Sequence, residues 1–85
     1  MEIIKKEIQV TQHDINLGIR ADCHLCPVAL AIERALGVRD VGVYHGTADW
    51  TQRKTRWGTN LPLEVQVFIA DFDAGAPVKP FSFEI

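Results

Sequence analysis

Two stretches of this 85-residue chain carry side chains whose types and spacing could do chemistry. The first is Cys23-His24-Leu25-Cys26-Pro27. Two thiolates three positions apart can turn onto one metal ion, a dithiol at a helix N-terminus can be redox active, and one activated thiolate can attack a substrate. Each chemistry needs more than the pair. A closed zinc site takes four ligands, yet the chain has no second cysteine pair and offers only His13, His24 and His45 as partners. His24 lies between the thiols and would have to turn back on them. A thioredoxin-like unit would place a strand before the motif and its proline between the cysteines, whereas Pro27 follows them. Nothing in the sequence brings Cys26 to His45 or supplies an oxyanion hole. The structural reading is that Asp22 or Cys26 caps a helix and the cysteines act as small buried hydrophobes. No cofactor is expected, and any metal would fall to Cys23 and Cys26.

The second stretch is "WTQRKTRW", residues 50 to 57, where Arg53, Lys54 and Arg56 stand between Trp50 and Trp57. In an extended segment Trp50, Lys54 and Arg56 would share one face, and Arg53 and Trp57 the other. Either face then offers cation and aromatic together. Guanidinium groups pair with phosphate oxygens and an indole stacks on a base, which suits a nucleotide ligand. Trp and Arg equally suit an acidic protein surface. The plainer alternative is a solvated edge strand whose cations deter aggregation. Elsewhere, His13 beside Asp14 reads as a surface turn, and the glycines lack the spacing of a phosphate-binding loop.

The elements that must position these residues fit one domain over residues 1–85, since so short a chain has no material for a second core. A net charge of −2 gives no global pull toward nucleic acid, which leaves it the less favoured partner. The start "MEIIKKEIQV" lacks the apolar run of a signal peptide, and no stretch approaches the ~20 residues that cross a bilayer. The expectation is a cytoplasmic protein with its cysteines reduced and no membrane partner.

Alternation of Ile4, Ile8 and Val10 predicts a first strand, with Thr11, Asp14 and Gly18 framing a single helical turn. Pro27, the apolar positions Val28, Ile32 and Ala35, and Gly37 predict a helix. Val41, Val43 and His45 alternate against Asp40, Gly42 and Tyr44 in a second strand ending at "GTAD", and Trp50 to Trp57 reads as a third. Asn60 as a cap, a stripe of Leu61, Val65, Phe68, Ile69 and Phe72, and Gly75 as a stop predict the second long helix. Phe81, Phe83 and Ile85 close the chain on a fourth strand. The order β, α, β, β, α, β predicts an α+β fold of split-βαβ, ferredoxin-like type, with two helices on one face of an antiparallel sheet.

The second long helix carries an extra apolar stripe, Leu63, Val67 and Ala70, roughly opposite Phe68 and Phe72 and flanked by acids. With Leu30 it predicts an interface, and a homodimer is favoured. Over "VTQHDINLGIRADCHLCPVALAIERAL", "LPLEVQVFIADFDAG" and "VKPFSFEI" the chain resembles a group of short proteins encoded by bacteriophages and prophages. That resemblance implies an accessory factor that binds a host component, antiviral defence included. The expectation is therefore a non-enzymatic, phage-type inhibitor of a host bacterial protein. That inhibitor would bind through the segment Trp50, Arg53, Lys54, Arg56 and Trp57 or through the outer face of the second long helix; the alternatives are a nucleotide second-messenger sink using Arg53, Lys54, Arg56 and a tryptophan at a subunit boundary, and a CxxC metal or redox protein.

Overall fold

A computed structural model describes residues 6–85; Ile4, expected in the first strand, lies outside the described residues. The elements run β1 (Glu7–Val10), α1 (Gln12–Leu17), α2 (Pro27–Leu36), β2 (Arg39–Val43), β3 (Thr47–Gln52), β4 (Thr55–Asn60), α3 (Leu63–Asp73) and β5 (Phe81–Glu84). The class is mixed α+β. Among the described residues the strands form two antiparallel sheets, β1–β5 and β2–β3–β4, with no strand pairing between them.

α2 forms where period and caps place it, and α3 where period places it. Pro27 opens α2 and Gly37, at φ 65°, takes the left-handed turn that ends it. In α3 the stripe Val65, Phe68, Ile69 and Phe72 is buried, while Leu63, Val67 and Ala70 are exposed. Asn60 does not cap α3. It ends β4, and Pro62 starts the helix without a side-chain cap. In the small sheet Ile8 stands opposite Phe83 and Val10 opposite Phe81, so both strands turn apolar side chains to the core.

Two expected elements differ. The segment from Trp50 to Trp57 is not one strand but a hairpin, with Gln52 opposite Thr55 and Arg53 and Lys54 as its two turn residues. Likewise "GTAD" is not a turn throughout, since Thr47, Ala48 and Asp49 already belong to β3. The register of β2 also slips between Arg39 and Gly42, where Asp40 takes φ 52°. Arg39 opposes Thr51 and Gly42 opposes Asp49, so Asp40 and Val41 together span the one residue Trp50. This bulge turns Arg39 to the polar outer face while Val41 stays in the core.

With no shared strand pairing, the helices join the sheets: α2 packs on both β1 and β2. One cluster results, drawing Ile8, Val28, Ile32, Val41, Val65 and Phe83 from both sheets and both long helices. Each such side chain contributes about 1.5–3 kcal/mol by leaving water.

Asp14 is not a surface turn residue; it is 2% exposed. It closes a capping box with Thr11: the Asp14 N–H donates to Thr11 Oγ1 at 3.2 Å and the Thr11 N–H donates to Asp14 Oδ2 at 2.9 Å. Arg34, in the last turn of α2, donates to both carboxylate oxygens at 2.6 and 2.8 Å and to the Gln9 carbonyl at 2.9 Å. Burial pushes the Asp14 carboxyl up, but the bonds from Arg34 and Thr11 outweigh it and hold the group below its ordinary value. Such a carboxylate stabilises the fold fully above the ordinary carboxylate range, and that contribution disappears as pH falls through the range and below it. Arg34→Ala leaves a buried charge unpaired; because the Arg34 side chain is 51% exposed, the expected loss is at the low end of the range, about 3 kcal/mol in urea denaturation. Asp14→Asn should lower stability at neutral pH and flatten its acid limb, while an unchanged acid limb would contradict this assignment.

Candidate functional site

The Cys-x-x-Cys stretch is built into the scaffold. Asp22 Oδ1 accepts from the His24 and Leu25 N–H groups at 2.9 and 3.0 Å, which folds the loop into a tight turn. Cys26 is the N-cap of α2, its Sγ accepting from the Ala29 N–H at 3.4 Å. The Cys23 carbonyl accepts from the Val43 N–H at 2.8 Å, and His24 Nδ1 donates to the Val41 carbonyl at 2.9 Å. The loop thus covers the outer edge of β2. Burial pushes the Cys26 thiol up; the Ala29 and Val28 N–H groups oppose this, and the charges of Asp73 and Asp22 add to it. A thiol so placed is far from the activated thiolate that redox or nucleophilic chemistry needs. Cys23, Cys26 and His45 do line one cleft of about 380 Å³, with Tyr44, Asp22 and Asp73, so the fold brings Cys26 and His45 to the same place. Among the described residues no group of three or more His, Cys, Asp or Glu side chains is placed to hold a metal ion.

The Trp50–Trp57 segment divides its side chains differently from a single strand. Trp50 and Trp57 are direct cross-strand partners and so lie on one face. Trp50 is buried, and its indole N–H meets no acceptor; Trp57 is 53% exposed. Arg56 lies on the other face, where it donates to Thr51 Oγ1 at 2.9 Å and the Asp40 carbonyl at 3.0 Å and pairs with the Asp49 carboxylate. Arg56 therefore clamps the bulge of β2 across β3, and its charge is already answered. Arg53 and Lys54 stand at the turn, both with positive φ, 51° and 66°.

At that turn the fold assembles a cluster that the sequence does not suggest. Arg39, Arg53 and Lys54 line one cleft of about 450 Å³ with Gly37, Val38, Thr51 and Gln52. Arg39 escapes a linear reading because only the Asp40 bulge and the pairing of β2 with β3 bring it to the hairpin. Of the five residues singled out between Trp50 and Trp57, two share this cleft, Arg56 is held by its own face, and the indoles lie on the opposite one. Leu30 is half-buried on α2.

β4 is the open edge of its sheet: among the described residues it pairs with β3 alone. Comparison with protein-family models, with curated proteins and with solved structures finds no match.

Two outcomes test these placements. In timed alkylation at neutral pH, half-buried Cys23 should be labelled before Cys26, which should react only as the chain unfolds; equal labelling would remove Cys26 from its cap. A two-residue turn with both φ values positive favours Asn-Gly, and a left-handed non-glycine residue costs about 1–2 kcal/mol. Arg53→Asn/Lys54→Gly should therefore raise stability by about 1–2 kcal/mol in urea denaturation.

Proposed function

We propose that the chain is a non-enzymatic accessory protein of phage type that antagonises a host bacterial component, such as a defence factor, by binding a protein through the open edge of β4. The observation that carries this reading is an edge strand that, among the described residues, is paired on one side only and also presents Trp57, 53% exposed. Unpaired N–H and C=O groups along such an edge accept an added strand, and a half-exposed Trp is a strong interface anchor. Leu63, Val67 and Ala70 on α3 are a second apolar surface, 74% and 52% exposed at the first two, and suit self-association into a homodimer. The geometry favours a protein partner over nucleotide sequestration, because Trp57 and Arg56 lie on opposite faces of β4 and no indole lines the cleft that Arg53 and Lys54 share.

Action in the bacterial cytoplasm and a split-βαβ arrangement belong to the same proposal. The pairings β1–β5 and β2–β3 are two that such an arrangement contains. Among the described residues no helix is long and apolar enough to cross a membrane.

Affinity capture from bacterial lysate tests the reading. Trp57→Ser should lose a partner that the wild type retains, since an anchor Trp contributes at least about 2 kcal/mol, roughly thirtyfold in Kd. Leu63→Ser/Val67→Ser should keep that partner and change the oligomeric state instead. Full retention by Trp57→Ser would remove β4 from the interface.

A further inference from the structure

We propose that the cleft between the end of α2 and the β3–β4 turn binds a phosphate-type oxyanion, free or as the terminal phosphoryl group of a small molecule. Three cations converge on this cleft from two parts of the chain: Arg39 from the start of β2, Arg53 and Lys54 from the hairpin. The ion pairs among the described residues are Arg34–Asp14 and Arg56–Asp49, so these three have no carboxylate partner there. Among the described residues no carboxylate lines the cleft; Asp40, next to Arg39 in the chain, and the C-terminal carbonyls of α2, which ends at Gly37 in the lining, would oppose the cations with at most one charge and about half a charge. They leave the cleft positive in a chain of net charge −2.

The backbone gives a second, independent reason. Arg53 and Lys54 both hold positive φ, where Asn-Gly would be the relaxed choice. Two long cationic side chains stand at a turn whose geometry disfavours them, and strain of this kind collects at binding sites. Both residues line the cleft that also holds Arg39. Thr51 and Gln52 add neutral polar groups to the lining, and no aromatic side chain belongs to it. The chemistry that fits is recognition of a compact multivalent anion by guanidinium and ammonium groups, without recognition of a base. A volume of about 450 Å³ exceeds a single phosphate and leaves room for water or the rest of a small molecule.

The test is titration of the ¹⁵N-labelled chain with inorganic phosphate, adenosine monophosphate and adenosine at constant ionic strength, followed by amide shifts. Phosphate should move Gly37, Val38, Arg39, Gln52, Arg53 and Lys54. If the monophosphate moves the same set and adenosine does not, a phosphorylated small molecule is the source; movement by phosphate alone assigns the free ion. Arg39→Gln should weaken binding about tenfold, the worth of one charged hydrogen bond, and Arg53→Asn/Lys54→Gly, which removes two cations, up to about a hundredfold. The second variant should also be the more stable protein, so unfolding cannot explain its loss. Lys79→Gln, outside the cleft, should bind as the wild type does. Absence of shifts with phosphate, shifts unaffected by both cleft variants, or an equal loss with Lys79→Gln would overturn the site. None of these readouts involves Trp57, so partner capture and anion binding fail separately.

Discussion

The Asp14 carboxylate is the joint on which the arrangement depends. It is buried, so left alone it would be among the most costly groups in the molecule. Its oxygens instead meet the Thr11 amide and both terminal nitrogens of Arg34, which also reaches the Gln9 carbonyl. One ionised side chain therefore starts α1, fixes the last turn of α2 and ties both to β1. The position of Arg34 in that last turn suits the negative end of the helix. Because the two sheets share no hydrogen-bonded strands among the described residues, their mutual placement is left to α2, which packs on both β1 and β2, and to the core they share. An error in seating α2 would move β2, and with it Arg39.

From that seating the two edges of the larger sheet acquire different fates. The residues before α2 lie along β2, where Cys23 and His24 take up its main-chain groups. Gly18 packs so closely on Pro27 that an added Cβ would fall 2.5 Å from Cδ, which holds this connection tightly against the helix start. Farther along, Ala21 N–H donates to Asp73 Oδ1 at 2.9 Å and anchors the same connection to the end of α3. The cysteines thus contribute as cap and edge cover. β4 has no such cover among the described residues, and it carries the exposed Trp57.

Much of this was legible in the sequence, for reasons that differ by element. Both long helices declare themselves because 3.6-residue periodicity and terminal signals are local: Pro27 and Gly37 bound α2, and the stripe from Val65 to Phe72 defines α3. Alternation is just as local in β5, where Phe83 is buried and Ser82 and Glu84 are exposed. The hairpin was illegible because Arg-Lys has no turn preference and the geometry is imposed by the pairing of Trp50 with Trp57. The division into two sheets is likewise non-local, as it depends on which strands pair. Asp14 is misread for a related reason: its partner Arg34 lies twenty residues away, and a His-Asp dipeptide looks solvated until that contact exists.

The same contrast explains why the cleft and the open edge meet at one hairpin yet draw on different residues. Arg56 and Trp57 are neighbours in sequence, so a strand must send them to opposite faces. Arg56 is then spent on Asp49 and the Asp40 bulge, so the cation nearest the turn on β4 ties β2 to β3 and β4. The turn can tolerate strain because whatever Arg53 and Lys54 cost locally is carried by six consecutive residue pairs between β3 and β4. The hairpin can therefore hold cations at its tip and an indole along its edge. The bulge that turns Arg39 outward and the ladder that sustains the tip are what bring the three cations to one cleft.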